Sequence, residues 1–291
     1  MAITYQNTLP DPNNPINDVG RAAAGSVGPG YKSVKLSSKS QIMKNRTNSG
    51  RLIARSHGSH TWEINITYNP MTRAEFEPIY NFLLQRRGGM DPFYVSLPQY
   101  VAPQDSTFAT HVASNTVETN GEVSKCIQGN TYIIESLGYG ANWTSIGAAS
   151  ETVGEVFTKN GVTVTGYGSV DLAAGTTSMM LDGIGSGDGD PRPGDLFTIT
   201  DTDDSNHTKA YMVTQVEKNG TADVDYDSLE PDDDERIIHF IPPLAKRVNN
   251  NADVIFHNPK IRVILSSDVQ EYSLGVDGLY QFSLKLEEAQ P

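Results

Sequence analysis

The sequence predicts a mainly β protein, with a β-sandwich or barrel core, one short helix and a small β-rich insertion module. The chain of 291 residues contains 26 glycines and 16 prolines, together with many Thr, Val, Ile and Tyr residues. Glycine and proline favour turns, whereas β-branched and aromatic residues favour strands. Strand-length apolar segments also recur between turn residues along the chain. These observations favour short strands over long helices.

The N-terminal segment, residues 1–30, is expected to form an extended arm. Prolines interrupt its first half, and a Gly/Ala/Ser-rich stretch occupies residues 20–30. Such a composition suits an extended segment better than a packed helix or strand. The arm is therefore expected to be either disordered or held by a neighbouring subunit.

Residues 31–101 are expected to form the first part of the β core domain. Strand-length patterns occur at residues 31–36, 51–54 and 62–68. In the third pattern the apolar side chains alternate, so that one face of the strand is buried. The side chains on this face are Trp62, Ile64, Ile66 and Tyr68.

The next segment carries the one helix that the sequence predicts. Thr72 and Glu75 have the spacing of a capping box, and Gly88-Gly89 is expected to end the helix. Pro78 lies inside the pattern and is expected to distort the first turn or shift the start. A short apolar strand follows at residues 92–98. The apolar residues at helical spacing are Phe76, Ile79, Tyr80 and Leu83.

The rest of the chain divides into two parts that differ in composition. Residues 102–190 are rich in Gly, Thr and Ser and are expected to form a β-rich insertion module, whereas residues 191–291 are expected to complete the core. The final strand, at 280–287, alternates strictly and therefore has one buried and one solvated face. The other strands are expected near residues 193–199, 210–213, 237–244, 254–256 and 261–265.

Charge and cysteine content exclude several classes of protein. The formal net charge of -13 repels phosphates, so we expect no sequence-specific nucleic-acid binding. Cys126 is the single cysteine, which excludes an intrachain disulfide and favours a small apolar role for that residue. The N-terminus lacks a secretory pattern and no run is long enough to cross a bilayer, so we expect no membrane insertion.

No constellation of residues indicates catalysis. The sequence has no nucleophile elbow, phosphate loop, dinucleotide fingerprint or zinc-protease motif. His57 and His60 are three residues apart but lack further ligands nearby, so they are interpreted as turn histidines. We therefore expect no enzymatic activity, no catalytic or metal-binding residues and no cofactor.

Two further patterns resemble binding sites, but a role without a ligand is the favoured interpretation of each. Asp223, Asp225, Asp227 and Asp234 follow the start of a calcium loop, but Ser228 replaces its glycine; this loop and the aspartates at 201, 203 and 204 are interpreted as solvated. The rings of Trp62, Trp143, Tyr139 and Tyr167 could contact a carbohydrate. Alternation places Trp62 in the core, however, and Trp143 is interpreted as the large core residue of the small Gly/Thr-rich module.

Several segments resemble structural proteins of bacteriophages. Residues 62–68 (WEINITY), 70–76, 82–89 and 91–98 resemble the strand, helix, glycine turn and strand of distal tail and minor tail proteins. Residues 241–289 resemble the C-terminal half of related virion proteins. The motifs at 129–132 (GNTY), 142–144 (NWT), 146–148 (IGA) and 153–157 (VGEVF) resemble a module of phage structural proteins.

The resemblance implies a structural virion protein that forms a ring where the tail tube meets the tail tip or baseplate. It implies a homohexamer, with tail tube protein, hub proteins and fibre or receptor-binding proteins as neighbours, made in the host cytoplasm and located in the tail. The alternatives are another virion role, in the tube, neck or fibre attachment, or a receptor- or carbohydrate-binding module. In a ring, deleting residues 1–30 is expected to weaken assembly more than folding.

Overall fold

The protein is mainly β in the computed structural model, as predicted. The structure describes residues 7–10, 30–113, 131–133, 148–150, 152, 155–158, 163–165, 171–185, 187–200, 207–218, 235–250 and 252–289. The chain forms two compact units. The first comprises Met1–Ser96 with Ile261–Gln290, and the second comprises Leu97–Lys260. No helix in the described residues is both long and apolar enough to span a membrane.

The first unit is built on a six-stranded sheet. Five strands lie in the order β1-β2-β14-β12-β3, and β13 pairs with β14. Pairings of β1 with β2, β2 with β14, and β14 with both β12 and β13 are antiparallel. The strands are β1 (Tyr31–Arg46), β2 (Leu52–Tyr68), β3 (Phe93–Ser96), β12 (Lys260–Leu265), β13 (Tyr272–Leu274) and β14 (Tyr280–Glu288).

One face of this sheet is buried together with helix α1 (Arg73–Gln85). The predicted alternation in β2 is confirmed, because its four inward side chains are at most 2% exposed. In β14, Phe282, Leu284 and Leu286 are buried while the residues between them are exposed or half-buried, which confirms the second predicted alternation. Burial of each such side chain stabilises the unit by about 1.5 to 3 kcal/mol.

Helix α1 begins as the capping box predicts. The carboxylate of Glu75 accepts hydrogen bonds from the backbone N–H and the hydroxyl of Thr72, at 2.8 and 2.7 Å. The helix continues through Pro78 and ends at Gln85, three residues before Gly88. Left-handed backbone follows, with φ of 50° at Arg87 and 68° at Gly88, and this reverses the chain towards β3.

The N-terminal segment corrects one expectation. Residues 7–10 were expected to be disordered or held by a neighbouring subunit, but they lie along β3 of their own chain. Leu9 N–H donates to Tyr94 O and Tyr94 N–H donates to Asn7 O, each at 2.8 Å. Leu9 is 6% exposed. Residues 7–10 thus cover the edge of the sheet that β3 would otherwise leave open. The rest of the predicted arm, residues 1–6 and 11–29, lies outside the described residues.

The second unit contains a closed barrel. Its pairings run β10-β7-β6-β11-β8-β9 and return to β10, and all of them are antiparallel. A separate pair joins β4 and β5. The strands are β4 (Thr131–Ile133), β5 (Val156–Thr158), β6 (Thr163–Thr165), β7 (Ser178–Asp182), β8 (Leu196–Thr200), β9 (Ala210–Glu217), β10 (Arg236–Ile241) and β11 (Asp253–Ile255).

Aromatic rings fill the core of this unit. Phe197 stacks on Tyr211 with a centroid distance of 5.5 Å and meets Phe240 edge-on at 5.6 Å. A second helix, α2 (Ser106–Ala113), adds Phe108 and Val112 to this core. The sequence predicted one helix only, so α2 is a helix that the prediction missed.

The boundaries of the units also differ from the expected ones. The strands at 196–255 do not complete the first domain; they close the barrel with β6 and β7, which lie in the predicted insertion. The division therefore falls at 96/97 and 260/261 rather than at 101/102 and 190/191. The physical reason is that barrel closure pairs strands from both sides of residue 190, notably β10 with β7.

Candidate interaction surface

The β1–β2 hairpin is the feature of the first unit that the core does not explain. Its two strands pair from Tyr31↔Tyr68 to Arg46↔Leu52. Only residues 63–67 of β2 pair with β14. The remainder of the hairpin therefore extends beyond the sheet as a two-stranded ribbon. We call residues 41–56 the hairpin tip.

An irregularity separates the tip from the base. Ser40 is paired with His60, whereas Ile42 is paired with Ser56, so that three residues of β2 lie opposite one residue of β1. Such a bulge bends the strand and increases its twist. The ribbon thus changes direction where it leaves the sheet.

The base of the hairpin is fixed by buried polar contacts. The backbone N–H of Trp62 donates to the carboxylate of Glu288 at 3.1 Å, and both residues are buried. His60 lies edge-on to the Trp62 ring at 4.7 Å and shares a 2.8 Å hydrogen bond with the hydroxyl of Ser38. A charged acceptor for a buried N–H is strong, so this base holds the ribbon in place.

The turn at the end of the ribbon is also well defined. Gly50 N–H donates to Thr47 O at 2.8 Å, and Thr47 N–H donates to Arg51 O at 3.0 Å. The φ of Gly50 is +82°, a conformation that side chains with a Cβ rarely adopt. The hydroxyl of Thr47 further accepts the N–H of Arg51 at 3.1 Å. The chain therefore encodes a specific tight turn here.

Large apolar side chains are exposed on both faces of the hairpin tip. Ile42 and Leu52 lie on one face, because Ile42 and Arg46 are four residues apart and Arg46 is opposite Leu52. Met43 and Ile53 lie on the other face. Their exposed fractions are 49% for Ile42, 55% for Leu52, 61% for Met43 and 53% for Ile53. An exposed apolar cluster of this kind is typical of an interaction surface.

Positive charge accompanies these apolar residues. Residues 31–62 contain seven Lys or Arg and no Asp or Glu, in a chain whose formal net charge is -13. Among the described residues, no carboxylate forms an ion pair with the four cations of the tip. These four are Lys44, Arg46, Arg51 and Arg55.

An ion pair marks the lower limit of this positive region. The ammonium of Lys39 lies 2.6 Å from the carboxylate of Glu63, and both side chains are exposed. The hydrogen bond to Glu63 raises the pKa of Lys39 above its usual range. Exposed pairs of this kind contribute little stability. Their consequence here is local: the charge of the base is partly neutralised, whereas that of the tip is not.

A groove lies elsewhere in the first unit, between the end of β2 and the β13–β14 hairpin. It has a volume of about 430 Å³ and is bordered by the rings of Tyr68, Phe282 and Tyr272 and by the polar side chains of Lys32 and Gln281. Tyr68 and Phe282 stack with a centroid distance of 5.8 Å. The groove thus combines aromatic faces with hydrogen-bonding groups.

The residues singled out from the sequence do not come together in one site. His60 lies in β2, not in a turn as predicted, because β2 continues through this segment; the side chain of His57 is not described. Trp62 is in the core, 2% exposed, as predicted. Outside the described residues lie Cys126, Tyr139, Trp143, Tyr167, the aspartates at 201, 203 and 204, and the loop with Asp223, Asp225, Asp227, Ser228 and Asp234. In the described part of the chain, no group of three His, Cys, Asp or Glu residues could hold a metal ion.

Sequence reasoning missed the hairpin as a unit. The strands at 31–36 and 51–54 were predicted as separate short elements, but they belong to one hairpin with residues 62–68. Two signals were present: the turn Thr47-Asn48-Ser49-Gly50, and the long run of cations without a carboxylate.

Comparison of the sequence with models of protein families finds no match, and comparison with curated proteins finds none either.

Proposed function

We propose that this chain is a structural protein of a bacteriophage tail, which assembles with copies of itself into a ring where the tail tube meets the tail tip or baseplate. In this role the ring belongs to the virion tail and is made in the host cytoplasm. Its neighbours are the tail tube protein, the hub of the tip and fibre or receptor-binding proteins.

The observation that carries the proposal is the exposed hairpin tip. A two-stranded ribbon with large apolar side chains on both faces is costly to leave in water, and a partner that covers both faces removes this cost. Ring-forming contacts join different surfaces of identical subunits. A ribbon that extends from the sheet suits such a contact, because it can reach a neighbour without rearranging the core.

The strand, helix, glycine turn and strand at residues 62–96 support the same proposal. These elements are the ones on which the resemblance to distal tail and minor tail proteins rests, and all of them lie in the first unit, with α1 packed on the sheet. The order of these elements supports the proposal of a tail protein. The exposed hairpin tip supports the proposal that copies of the chain assemble into a ring.

Electron microscopy of the purified full chain tests the proposal. We expect closed rings with a central channel at low ionic strength and micromolar concentration. A chain that stays monomeric under these conditions, and in the presence of its own virion proteins, would contradict the proposal.

A carbohydrate- or receptor-binding module is the second candidate, and the groove beside Tyr272 favours it. Tyr272 is 49% exposed, and exposed rings beside polar groups can pack on the apolar faces of sugars. A glycan array with the wild type and with Tyr272→Ala separates the candidates. Glycan binding that is lost in Tyr272→Ala, by a chain that forms no ring, would favour this second function.

A further inference from the structure

We propose that the hairpin tip of one copy docks on the acidic second unit of the next copy, so that the subunits join head to tail. This inference rests on the proposed function, since it names the contact through which the ring assembles. The partner that covers the exposed tip is thus a second copy of this chain.

The charge of the chain is divided very unequally between its two units. The first unit contains 13 basic and 11 acidic residues, which gives it a formal charge of +2. The second unit contains 9 basic and 24 acidic residues, which gives it -15. The net negative charge of the chain therefore belongs to the second unit, and the first unit is slightly positive. The positive charge without acidic neighbours belongs to the hairpin of the first unit.

The hairpin tip concentrates the positive side of this asymmetry. Its four cations are interleaved with the apolar residues on both faces: Lys44 and Arg46 share a face with Ile42, and Arg55 shares a face with Met43. A surface of this kind attracts an acidic partner over distances of about 8 Å in physiological salt. Burial of the apolar residues then holds the contact at short range.

A second copy matches these requirements on the evidence of the chain itself. Each subunit carries one basic ribbon and one strongly acidic unit, so each can give a contact on one side and receive one on the other. Such a heterologous interface closes into a ring when its rotation closes. Like-charged contacts, tip to tip or acidic unit to acidic unit, are repelled, which selects the head-to-tail order.

Carbodiimide cross-linking tests the contact, because it joins a lysine amine to a carboxylate that touches it. Lys44 is the only lysine in the tip and is exposed. An equal mixture of unlabelled and 15N-labelled full chain is cross-linked and analysed by mass spectrometry. We expect mixed-isotope cross-links from Lys44 to Asp or Glu residues within 97–260. Cross-links of Lys44 confined to one copy, or to the first unit of another copy, would overturn the inference.

A matched pair of charge reversals supplies a second readout. Lys44→Glu and Lys285→Glu change the net charge equally, and both side chains are exposed in the first unit. We expect Lys44→Glu to weaken assembly about ten-fold or more and Lys285→Glu to change it less than about two-fold, because only the first reverses charge in the contact. Equal effects of the two variants would overturn the inference.

The outcomes for the inference and for the proposed function are distinguishable. Rings that form without the expected Lys44 cross-links would leave the proposed function standing and remove the inference. A wild-type chain that never assembles would contradict both. A hairpin that binds DNA, with no cross-link between copies, would overturn the inference in favour of a polyanionic partner.

Discussion

Asp253 lies in β11, between β6 and β8 of the barrel. It is paired with Thr163 of β6 on one side and with Thr200 of β8 on the other. Burial of the carboxyl group raises the pKa of Asp253 above its ordinary value. The folded state therefore binds more protons than the unfolded state between these two values. The contribution of Asp253 to stability is present below the ordinary pKa and is lost as the pH rises through the folded pKa.

We expect Asp253→Asn to raise the melting temperature at pH 7, because an amide avoids the cost of burying a charge. The difference from the wild type should shrink as the pH falls through the raised pKa of folded Asp253, because the carboxyl group of the wild type then becomes protonated. Thermal melts followed by circular dichroism from pH 4 to pH 8 measure both effects. Asp277→Asn, in the exposed β13–β14 turn, is the control. A lower melting temperature at pH 7 would show that the carboxylate forms a stabilising contact instead.

Asp105 shows why a helix was missed. Its carboxylate accepts the backbone N–H of Thr107 at 2.9 Å and of Phe108 at 3.1 Å, and it accepts a hydrogen bond from Arg192 at 2.7 Å. The backbone N–H of Phe108, and then the guanidinium of Arg192, lower the pKa of Asp105. Asp followed by Ser and Thr is equally typical of a turn, so sequence alone left this segment unassigned.

Replacing Asp105 by Ala should destabilise the protein by about 1 kcal/mol at pH 7, because two N–H groups at the start of α2 lose their acceptor. Since the folded pKa is lowered, this contribution is present above the ordinary pKa and is lost as the pH falls through the folded value. Urea unfolding at pH 7 and at about pH 3 measures it. Asp105→Asn keeps an acceptor and should lose less. A cost that is the same at both pH values would contradict the role of the charge.

At the scale of elements, predictability followed burial. Strands β2 and β14 were predicted because each has one buried and one solvated face along its base, which imposes alternation. The hairpin tip has both faces in water, so no alternation marks it. In the barrel, four of the five residues of β8 are buried, and such a strand also lacks a period of two. Barrel closure depends on pairings between distant segments, such as β6 with β11, and no local pattern encodes them.

The sequence alone predicted the charge of the candidate surface but not its position. The cations without carboxylates in residues 31–62 could be counted, but their projection from the sheet could not. That projection depends on where β14 stops pairing with β2, at Glu63↔Glu287, which is a tertiary fact.

The segment 7–10 changes what truncation should do. The expectation that deleting residues 1–30 affects assembly more than folding assumed that the arm has little to pack on within its own subunit. Leu9 is buried and bonded to β3, so we expect Leu9→Ala to lower the free energy of unfolding by about 2 kcal/mol.

Urea unfolding of the monomer measures this effect. Val276→Ala, an exposed apolar residue in the β13–β14 turn, is the matched control and should change stability by less than about 0.5 kcal/mol. A second comparison deletes residues 1–6 or residues 1–10. Only the longer deletion should destabilise the monomer. Equal stability of the two truncated chains would contradict the role of residues 7–10.

At the scale of the whole molecule, the two units differ in charge more than in architecture. Both are β structures with aromatic cores, yet the second carries a formal charge of -15 and the first, at +2, extends a basic ribbon. Neither unit brings together, in the part of the chain that the structure describes, the residue types of a metal site. An assembly function uses this asymmetry directly, because opposite charges on two units of one chain favour ordered contacts between copies.

Sedimentation of the full chain beside a variant that lacks the hairpin tip tests the central claim most directly. The variant joins Ser40 to His60 through a two-residue Asn-Gly turn, which keeps the base of the hairpin and removes its exposed apolar residues. We expect a closed species of about six copies for the full chain, its dissociation as salt rises from about 0.1 to 1 M, and a folded monomer for the variant. The same mass for both chains, at every salt concentration, would contradict it.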